Sequence, residues 1–268
     1  MDNRPIGVFD SGLGGLTAVR EIMKLLPNED IVYFGDTGRV PYGSRSKQTI
    51  TKYTRQDIRF LTKFDCKTIL VACGTASSVA LPQIKGDYDF PIIGVVEGAA
   101  NRACQVTRNG KIGIIGTNAT IKSGSYVRLI STRPEGFFTA CAACPLFVPL
   151  VENSRISVED KILKLAIEEY LTPVKNAGVD TLILGCTHYP IIAEAISAFM
   201  GDNVTLISPG LEAARILKEM PSFTPCEEKA AKHRFFVSDD VDLFSEQASL
   251  FLGQSVEGEV ELINIEEI

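Results

Sequence analysis

Thr181-Leu-Ile-Leu-Gly-Cys186-Thr187-His188-Tyr-Pro190 is the stretch that decides the fold. It begins with an apolar run typical of a buried strand, and the run ends on a thiol, a hydroxyl and an imidazole. A stretch of the same form lies 113 residues upstream, where Thr68-Ile-Leu-Val-Ala leads into Cys73, Gly74 and Thr75. A helix is predicted after each. The chain therefore presents one strand-to-helix unit twice, with a cysteine at the same place in each.

Alternating strands and helices extend on both sides of these two stretches. Further strands are predicted at residues 5–9, 31–35, 91–96, 111–115, 204–207, 234–237 and 260–265. Helices are predicted at 16–26, 47–64, 154–170 and 243–252, before residue 85, and after residues 98, 191 and 208. This order predicts an α/β fold with mostly parallel sheets that helices cover on both faces. The restart at Lys111, which echoes Pro5-Ile-Gly-Val-Phe, suggests an internal repeat that pairs Gly7 with Gly113 and Cys73 with Cys186.

Composition narrows the class of protein. The 268 residues suffice for one large domain or two ordinary ones, and 45% hydrophobic with 22% charged residues is typical of a globular protein. Because no apolar run approaches about 20 residues and the start does not resemble a signal peptide, we predict a cytoplasmic protein without membrane contact. A net charge of −6 without basic runs argues against nucleic acid as a partner. The seven cysteines lack the spacing of a disulfide scaffold and are read as reduced thiols.

Five weaker signals allow more than one interpretation. Asp10-Ser11-Gly12-Leu-Gly14-Gly15 joins a strand to a helix whose opening N–H groups suit an anion such as a carboxylate. A dinucleotide site is the rival, but the glycine pattern fails at Thr17. The loop that holds Tyr42 and Gly43 is by itself most simply a turn. Glu152 is by itself most simply a solvated carboxylate. Cys141-x-x-Cys144 lacks the two further ligands that zinc needs, so no metal is expected, and His233 is most simply structural.

The two matched cysteines point to a reaction. A residue directly after a strand of a parallel sheet faces the ligand crevice, and a helix start lowers the pKa of a thiol. If the two units face each other, one thiol lies on each side of a shared cleft. Inversion of a stereocentre without redox chemistry needs such an arrangement, with a base on one face and an acid on the other. Asp10 and His188 are candidates for tuning the thiols, and the hydroxyls of Ser11, Thr75 and Thr187 for holding the substrate. The alternative is that both cysteines are small core residues.

The chain closely resembles the glutamate racemases, cofactor-independent enzymes of the aspartate/glutamate racemase family that make D-glutamate for the bacterial cell wall. The resemblance runs nearly end to end. Its motifs are Phe9-Asp-Ser-Gly-Leu-Gly-Gly15, Gly35-Asp-Thr-Gly-Arg-Val-Pro-Tyr-Gly43, Val71-Ala-Cys73, Ile115-Gly-Thr-Asn-Ala-Thr120, Cys144-Pro-Leu-Phe-Val-Pro-Leu-Val-Glu152 and Leu184-Gly-Cys-Thr-His-Tyr-Pro190.

The resemblance implies roles for particular residues. Cys73 and Cys186 become the two proton donors and acceptors, and no cofactor is required. The assisting groups are Asp10, Asp36, Glu152 and His188. Substrate contacts are implied at Asp10, Ser11, Tyr42, Gly43, Gly74, Thr75, Thr187 and His188. It also implies two pseudo-symmetric α/β domains with the active site between them, residues 1–96 with 209–268 and residues 97–208, and it allows a homodimer.

Two departures from the family pattern stand out. The family usually has Asn where this chain has Gly74, so an amide expected to hydrogen-bond the substrate is missing, a loss typically of about 0.5 to 1.5 kcal/mol. On this reasoning Gly74→Asn should improve glutamate turnover. Val96-Glu97-Gly98 replaces a usual Glu-Pro. Because of Gly74, a racemase acting on aspartate or another amino acid stays open beside glutamate, as does a non-catalytic binding protein with the same fold.

Overall fold

The computed structural model describes residues 1–256 and 259–268 of the chain, and it contains two sheets in which every strand pair is parallel. The first sheet has the order β10-β9-β2-β1-β3-β4 and the second the order β6-β5-β7-β8. The strands are β1 (Ile6–Asp10), β2 (Ile31–Gly35), β3 (Thr68–Val71), β4 (Ile92–Gly94), β5 (Lys111–Gly116), β6 (Phe138–Ala143), β7 (Thr181–Leu184), β8 (Thr205–Ile207), β9 (His233–Val237) and β10 (Val260–Leu262). The predicted α/β class with parallel sheets is confirmed.

Twelve α-helices in the described residues connect these strands. They are α1 (Leu16–Leu25), α2 (Lys47–Thr62), α3 (Gly74–Val79), α4 (Leu81–Ile84), α5 (Val95–Val106), α6 (Asn118–Ser123), α7 (Ser125–Ser131), α8 (Phe147–Glu152), α9 (Lys161–Asn176), α10 (Ala193–Met200), α11 (Pro209–Glu219) and α12 (Val241–Leu252). Strands β1, β2 and β3 are buried along their whole length, which is why they read as continuous apolar runs.

The two sheets repeat one topology. In the first, β1 lies between β2 and β3, and in the second β5 lies between β6 and β7. Gly7 on β1 and Gly113 on β5 therefore occupy the same place, and Cys73 and Cys186 each follow the strand on the same side. Strands β9 and β10 extend only the first sheet. The division into two domains at residues 96/97 and 208/209 stays a prediction, and α5 runs without interruption across residue 96.

Several element boundaries differ from the predicted ones. Strand β4 ends at Gly94, because Val95 and Val96, which favour strands by propensity, are buried in the first turn of α5. The helix predicted from residue 154 begins only at Lys161, because the carboxylate of Asp160 caps it and accepts hydrogen bonds from the N–H groups of Ile162 and Leu163. The last strand ends at residue 262 instead of 265.

One strand was missed altogether. Strand β6, the counterpart of β2 in the repeat, lies at the edge of the second sheet and has the sequence Phe-Thr-Ala-Cys-Ala-Ala. Its small residues have little strand propensity, and its half-exposed pattern gives no continuous apolar run.

Candidate active site

A cavity of about 350 Å³ lies where the carboxyl ends of the two sheets meet. The turns after β1, β2, β3, β5 and β7 form its wall, together with α8. Ligand crevices of parallel sheets form outside the carboxyl ends of the strands, beside the strand at which the order reverses, and β1 and β5 are those strands here. The lining residues are Ser11, Gly12, Val40, Pro41, Tyr42, Gly43, Ser44, Cys73, Gly74, Thr75, Thr117, Asn118, Cys144, Pro145, Val148, Pro149, Glu152, Cys186, Thr187 and His188.

Cys73 lies on the first-sheet side of the cavity, where it caps α3. Its sulfur accepts a hydrogen bond from the N–H of Ala76 at 3.4 Å, and its S–H points to Ser11 Oγ at 3.4 Å. Burial, followed by the nearby carboxylate of Asp10, raises the pKa of Cys73 to about 12. The expectation that a helix start lowers the pKa of this thiol is therefore wrong, because α3 has only six residues and desolvation outweighs its dipole.

Asp10 lies behind Ser11 and is buried at the end of β1. One of its oxygens accepts a hydrogen bond from the N–H of Gly12 at 3.1 Å, and the other lies 3.5 Å from Thr187 Oγ1 of the second unit. Burial raises the pKa of Asp10, although the backbone N–H groups of the turn and the charge of His188 oppose the shift. Asp10 therefore reaches the site through its neighbours and does not line the cavity.

Cys186 lies on the second-sheet side, next to an imidazole. His188 Nδ1 is 4.0 Å from the Cys186 sulfur, and His188 Nε2 is 2.9 Å from Glu152 Oε1. Burial favours the neutral imidazole, but the hydrogen bonds to Cys186 and Glu152 outweigh it and raise the pKa of His188 to about 10. The rings of His188 and of Phe251 in α12 pack edge to face, with ring centroids 5.2 Å apart. At neutral pH an imidazolium therefore faces the Cys186 sulfur.

Asp36 does not line the cavity either. It is buried at the end of β2, where it accepts hydrogen bonds from Arg39 Nε, Ser238 Oγ and the hydroxyl of Tyr42. The Tyr42 oxygen also lies 2.9 Å from Asp57 Oδ2. The Tyr42 hydroxyl donates to this oxygen as well, and Arg39 Nη2 pairs with Asp57 Oδ1 at 3.0 Å. Burial, followed by the charge of Asp36, raises the pKa of Asp57 well above its usual range. Asp36 thus holds the cavity wall at Tyr42.

Direct contacts join the turns of the two units around the cavity. The hydroxyl oxygens of Thr75 and Thr117 are 3.0 Å apart, and Thr17 Oγ1 donates to the carbonyl of Thr187 at 3.0 Å. A Cβ on Gly14 would overlap Thr187 Oγ1 and lie 2.5 Å from His188 Nδ1. The turn that carries Cys186, Thr187 and His188 therefore packs directly against the glycine turn after β1.

Most residues that the sequence analysis selected lie at this cavity. Ten of the twelve line it, and Asp10 and Asp36 lie behind the wall. Sequence reasoning missed Thr117, Asn118, Cys144 and the Pro145–Pro149 segment. Thr117 follows β5 directly, as Asp10 ends β1, so the rule that selected the cysteines could have found it. Cys144 entered as part of a disfavoured zinc motif and of a family motif, without a role of its own, and it is a third thiol at the wall.

Three further properties of the described residues bear on earlier expectations. Within residues 1–256 and 259–268, no group of three or more His, Cys, Asp or Glu side chains could hold a metal ion. None of the helices in this part of the chain combines the length and apolar character that a membrane crossing requires. All seven cysteines are free thiols.

Comparison with known proteins identifies the class. The sequence pattern of the Asp/Glu/Hydantoin racemase family matches residues 17–217. A glutamate racemase from Geobacter metallireducens is 42% identical over 98% of this chain and 97% of its own length. The crystal structure of glutamate racemase from Francisella tularensis in complex with D-glutamate superimposes with a TM-score of 0.90 at 36% identity and covers 100% of both chains. An aspartate racemase from Picrophilus torridus, with a TM-score of 0.53 and 22% identity, shares the fold.

The two parallel sheets bring one thiol each to a common cavity, and the full-length relatives are amino-acid racemases. The chain belongs to the Asp/Glu/Hydantoin racemase family.

Proposed function

We propose that the protein interconverts L- and D-glutamate, with Cys73 and Cys186 as two bases on opposite faces of the substrate Cα. The observation that carries the proposal is the placement of two buried thiols at equivalent ends of β3 and β7, on the wall of one cavity. Glutamate is favoured because the full-length relatives above are glutamate racemases, one of them in complex with D-glutamate.

The reaction removes one proton from one face of the substrate Cα and delivers one proton to the opposite face. One sulfur, as thiolate, removes the α-proton and becomes a thiol, which leaves a carbanion at Cα. The other thiol gives its proton to the opposite face and becomes the thiolate. The charge on the pair is the same before and after turnover, and reversal of direction exchanges the two roles.

The surroundings of the two sulfurs differ in charge. The raised pKa of Cys73 keeps this residue a thiol at neutral pH, ready to donate. The imidazolium of His188 stabilises negative charge on the Cys186 sulfur, and Glu152 stabilises the imidazolium. Asp10 and Asp36 assist from behind the wall. We propose that the substrate is held by Ser11, Tyr42, Gly43, Gly74, Thr75, Thr187 and His188, and we add Thr117 and Asn118.

The proposal extends to the setting of the enzyme. D-Glutamate formed in the cytoplasm would supply peptidoglycan synthesis, and the free cysteines fit a reducing compartment. A homodimer is the proposed assembly. An aspartate-specific racemase is the second candidate, and the missing amide at Gly74 is the observation that favours it.

A racemisation assay in D2O tests the proposal. Loss of optical rotation is measured on L-glutamate, L-aspartate and a panel of other L-amino acids, with glutamate expected to react fastest. No turnover on any of them would favour the non-catalytic binding protein. With two bases, early product D-glutamate carries deuterium at Cα, because its donor thiol has exchanged with solvent, while unreacted L-glutamate stays mostly protiated. Substantial protium at Cα of the early product would contradict the two-base assignment.

A further inference from the structure

The contact between Gly74 and Gly185 joins the two turns that carry the catalytic thiols. Gly74 is buried at the first position of α3, directly after Cys73, and Gly185 directly precedes Cys186. A Cβ built on Gly74 would lie 2.5 Å from the carbonyl oxygen of Gly185 and 3.7 Å from the Cα of Cys186. Distances of this kind under 3.0 Å essentially never occur, so any side chain at position 74 must move backbone.

The backbone conformation of Gly74 does not require glycine. Its φ lies outside the left-handed region that other residues avoid, unlike that of Gly124 or Gly178. The glycine is therefore explained by the lack of space for a Cβ, because the turn at Gly185 fills the volume next to position 74.

The opposite turn cannot easily yield. The N–H of Gly185 donates to the carbonyl of Ile115 at 2.7 Å, which continues the pairing of β5 with β7, and a Cβ on Gly185 would lie 2.5 Å from that same oxygen. On its other side, the turn from Gly185 to His188 packs against Gly14. A side chain at position 74 would therefore displace Cys73 rather than Cys186.

We propose that Gly74 is a positioning residue that sets the separation of the two thiols across the cavity. Proton transfer on both faces of one Cα needs both sulfurs in reach of that atom, and a displacement of about 1 Å can cost about 100-fold in rate. The glycine then does more than remove the asparagine side chain that usually stands here in the family. The Gly185 carbonyl occupies the space that the Cβ of any side chain at position 74 would need. This inference rests on the proposed two-thiol racemisation.

Gly74→Ala and Gly74→Asn test it against the lost-amide explanation. If the amide is merely missing, the alanine variant behaves as wild type and the asparagine variant improves glutamate turnover. If Gly74 positions the thiols, kcat falls in both variants by about 100-fold while KM changes by less than about 3-fold. The kinetic isotope effect with Cα-deuterated glutamate should also rise, since proton transfer becomes the slow step.

Gly86→Ala is the matched control, because Gly86 is exposed and a Cβ there meets nothing within 4 Å. It should keep wild-type kinetics. The inference is overturned if the wild type racemises glutamate and Gly74→Ala keeps its kcat, or if Gly86→Ala loses as much. Failure of the wild type to racemise any amino acid would instead overturn the proposed function.

A crystal structure of the wild type with glutamate keeps the test open should the Gly74 variants not fold. The inference expects the contact to persist, with a Cβ built on Gly74 under 3.0 Å from the Gly185 oxygen. A substrate-bound structure in which that distance exceeds about 3.4 Å, the onset of ordinary van der Waals contact, would refute it.

Discussion

Cys73 and Cys186 occupy equivalent places in two copies of one topology, yet their surroundings differ in charge. Cys73 has a serine hydroxyl and a backbone N–H as partners and a buried carboxylate behind it. Cys186 faces an imidazole whose pKa is raised to about 10 by its hydrogen bonds to Cys186 and Glu152, against the effect of burial. The strand repeat places the two sulfurs, and side chains that differ between the two copies set their electrostatics.

This difference cannot favour one direction of the reaction overall. Enantiomers have equal free energies in solution, so the equilibrium constant is unity and kcat/KM must be the same from L to D as from D to L. The asymmetry must therefore appear in the individual proton transfers and in the pH dependence. Variants on the two sides should differ there, although loss of either thiol should be equally severe.

Loss of either thiol is expected to have the largest effect. Cys73→Ala and Cys186→Ala should each lower kcat by at least about 1,000-fold, because each removes the proposed proton donor and acceptor on one face. Circular dichroism should show an intact fold. Cys→Ser variants can retain traces of activity, because a hydroxyl is a poorer base than a thiol at neutral pH.

Cys104→Ala is the control for the thiol variants, since Cys104 is a partly buried free cysteine outside the cavity. It should retain full activity. If either thiol variant kept more than a tenth of the wild-type rate, its cysteine would have no role as a base, and the two sides would not be equivalent.

Glu152→Gln should have a smaller effect that depends on pH. The raised pKa of His188 means that the wild type keeps its imidazolium until pH approaches about 10. Without the carboxylate, this pKa should fall toward the ordinary value of about 6.5. We expect kcat to drop about 10-fold between pH 7 and 10, and the deficit to shrink below about pH 6.5, where the imidazole is charged in both proteins.

Glu159→Gln is the matched carboxylate control, because Glu159 is exposed and pairs only with Lys164 among the described residues. Its pH profile should coincide with that of the wild type. A Glu152→Gln deficit that stays constant across the whole pH range would contradict the electrostatic role given to Glu152.

The sequence predicted the positions of this site better than its charges. The thiols, and the residues beside them in sequence, follow from one rule about strand ends in parallel sheets. The family resemblance named His188 and Glu152 as assisting groups, but their contact was not predicted, because local sequence does not encode a contact between residues far apart in the chain. The pKa of Cys73 was predicted in the wrong direction, since the depth of burial depends on packing by distant elements.

The same limit explains the errors in the fold. Central strands β1, β2 and β3 are apolar throughout and were found, whereas the edge strand β6 was missed because its small residues are partly exposed. Gly74 is the sharpest case. The sequence showed that an amide is missing, but only the structure shows that the opposite turn fills the space.

Ser11→Ala probes the other thiol and should have a modest effect. An S–H to hydroxyl contact of 3.4 Å is weak, and loss of a hydrogen bond worth about 0.5 to 1.5 kcal/mol corresponds to about 2- to 10-fold in rate. Since the hydroxyl carries no charge, the pH profile of kcat should keep its shape. A shift of the alkaline limb like that expected for Glu152→Gln would show that the two sides are coupled and not separately tuned.

The smallest expected effect is a difference in the titration midpoints of the two histidines. The chain has two histidines, so NMR can follow both imidazoles without ambiguity. His188 should titrate near pH 10, and His233, whose pKa burial lowers, below its ordinary value of about 6.5. Glu152→Gln should move only the His188 midpoint, downward.

Because the folded-state pKa of His188 is raised, the stability that its pairing contributes is complete below about pH 6.5 and is lost as pH rises through about 10. The difference in thermal midpoint between wild type and Glu152→Gln should shrink over the same range. A His188 midpoint near 6.5 in the wild type would mean that no imidazolium faces Cys186 at neutral pH, and the contrast between the two thiols would disappear.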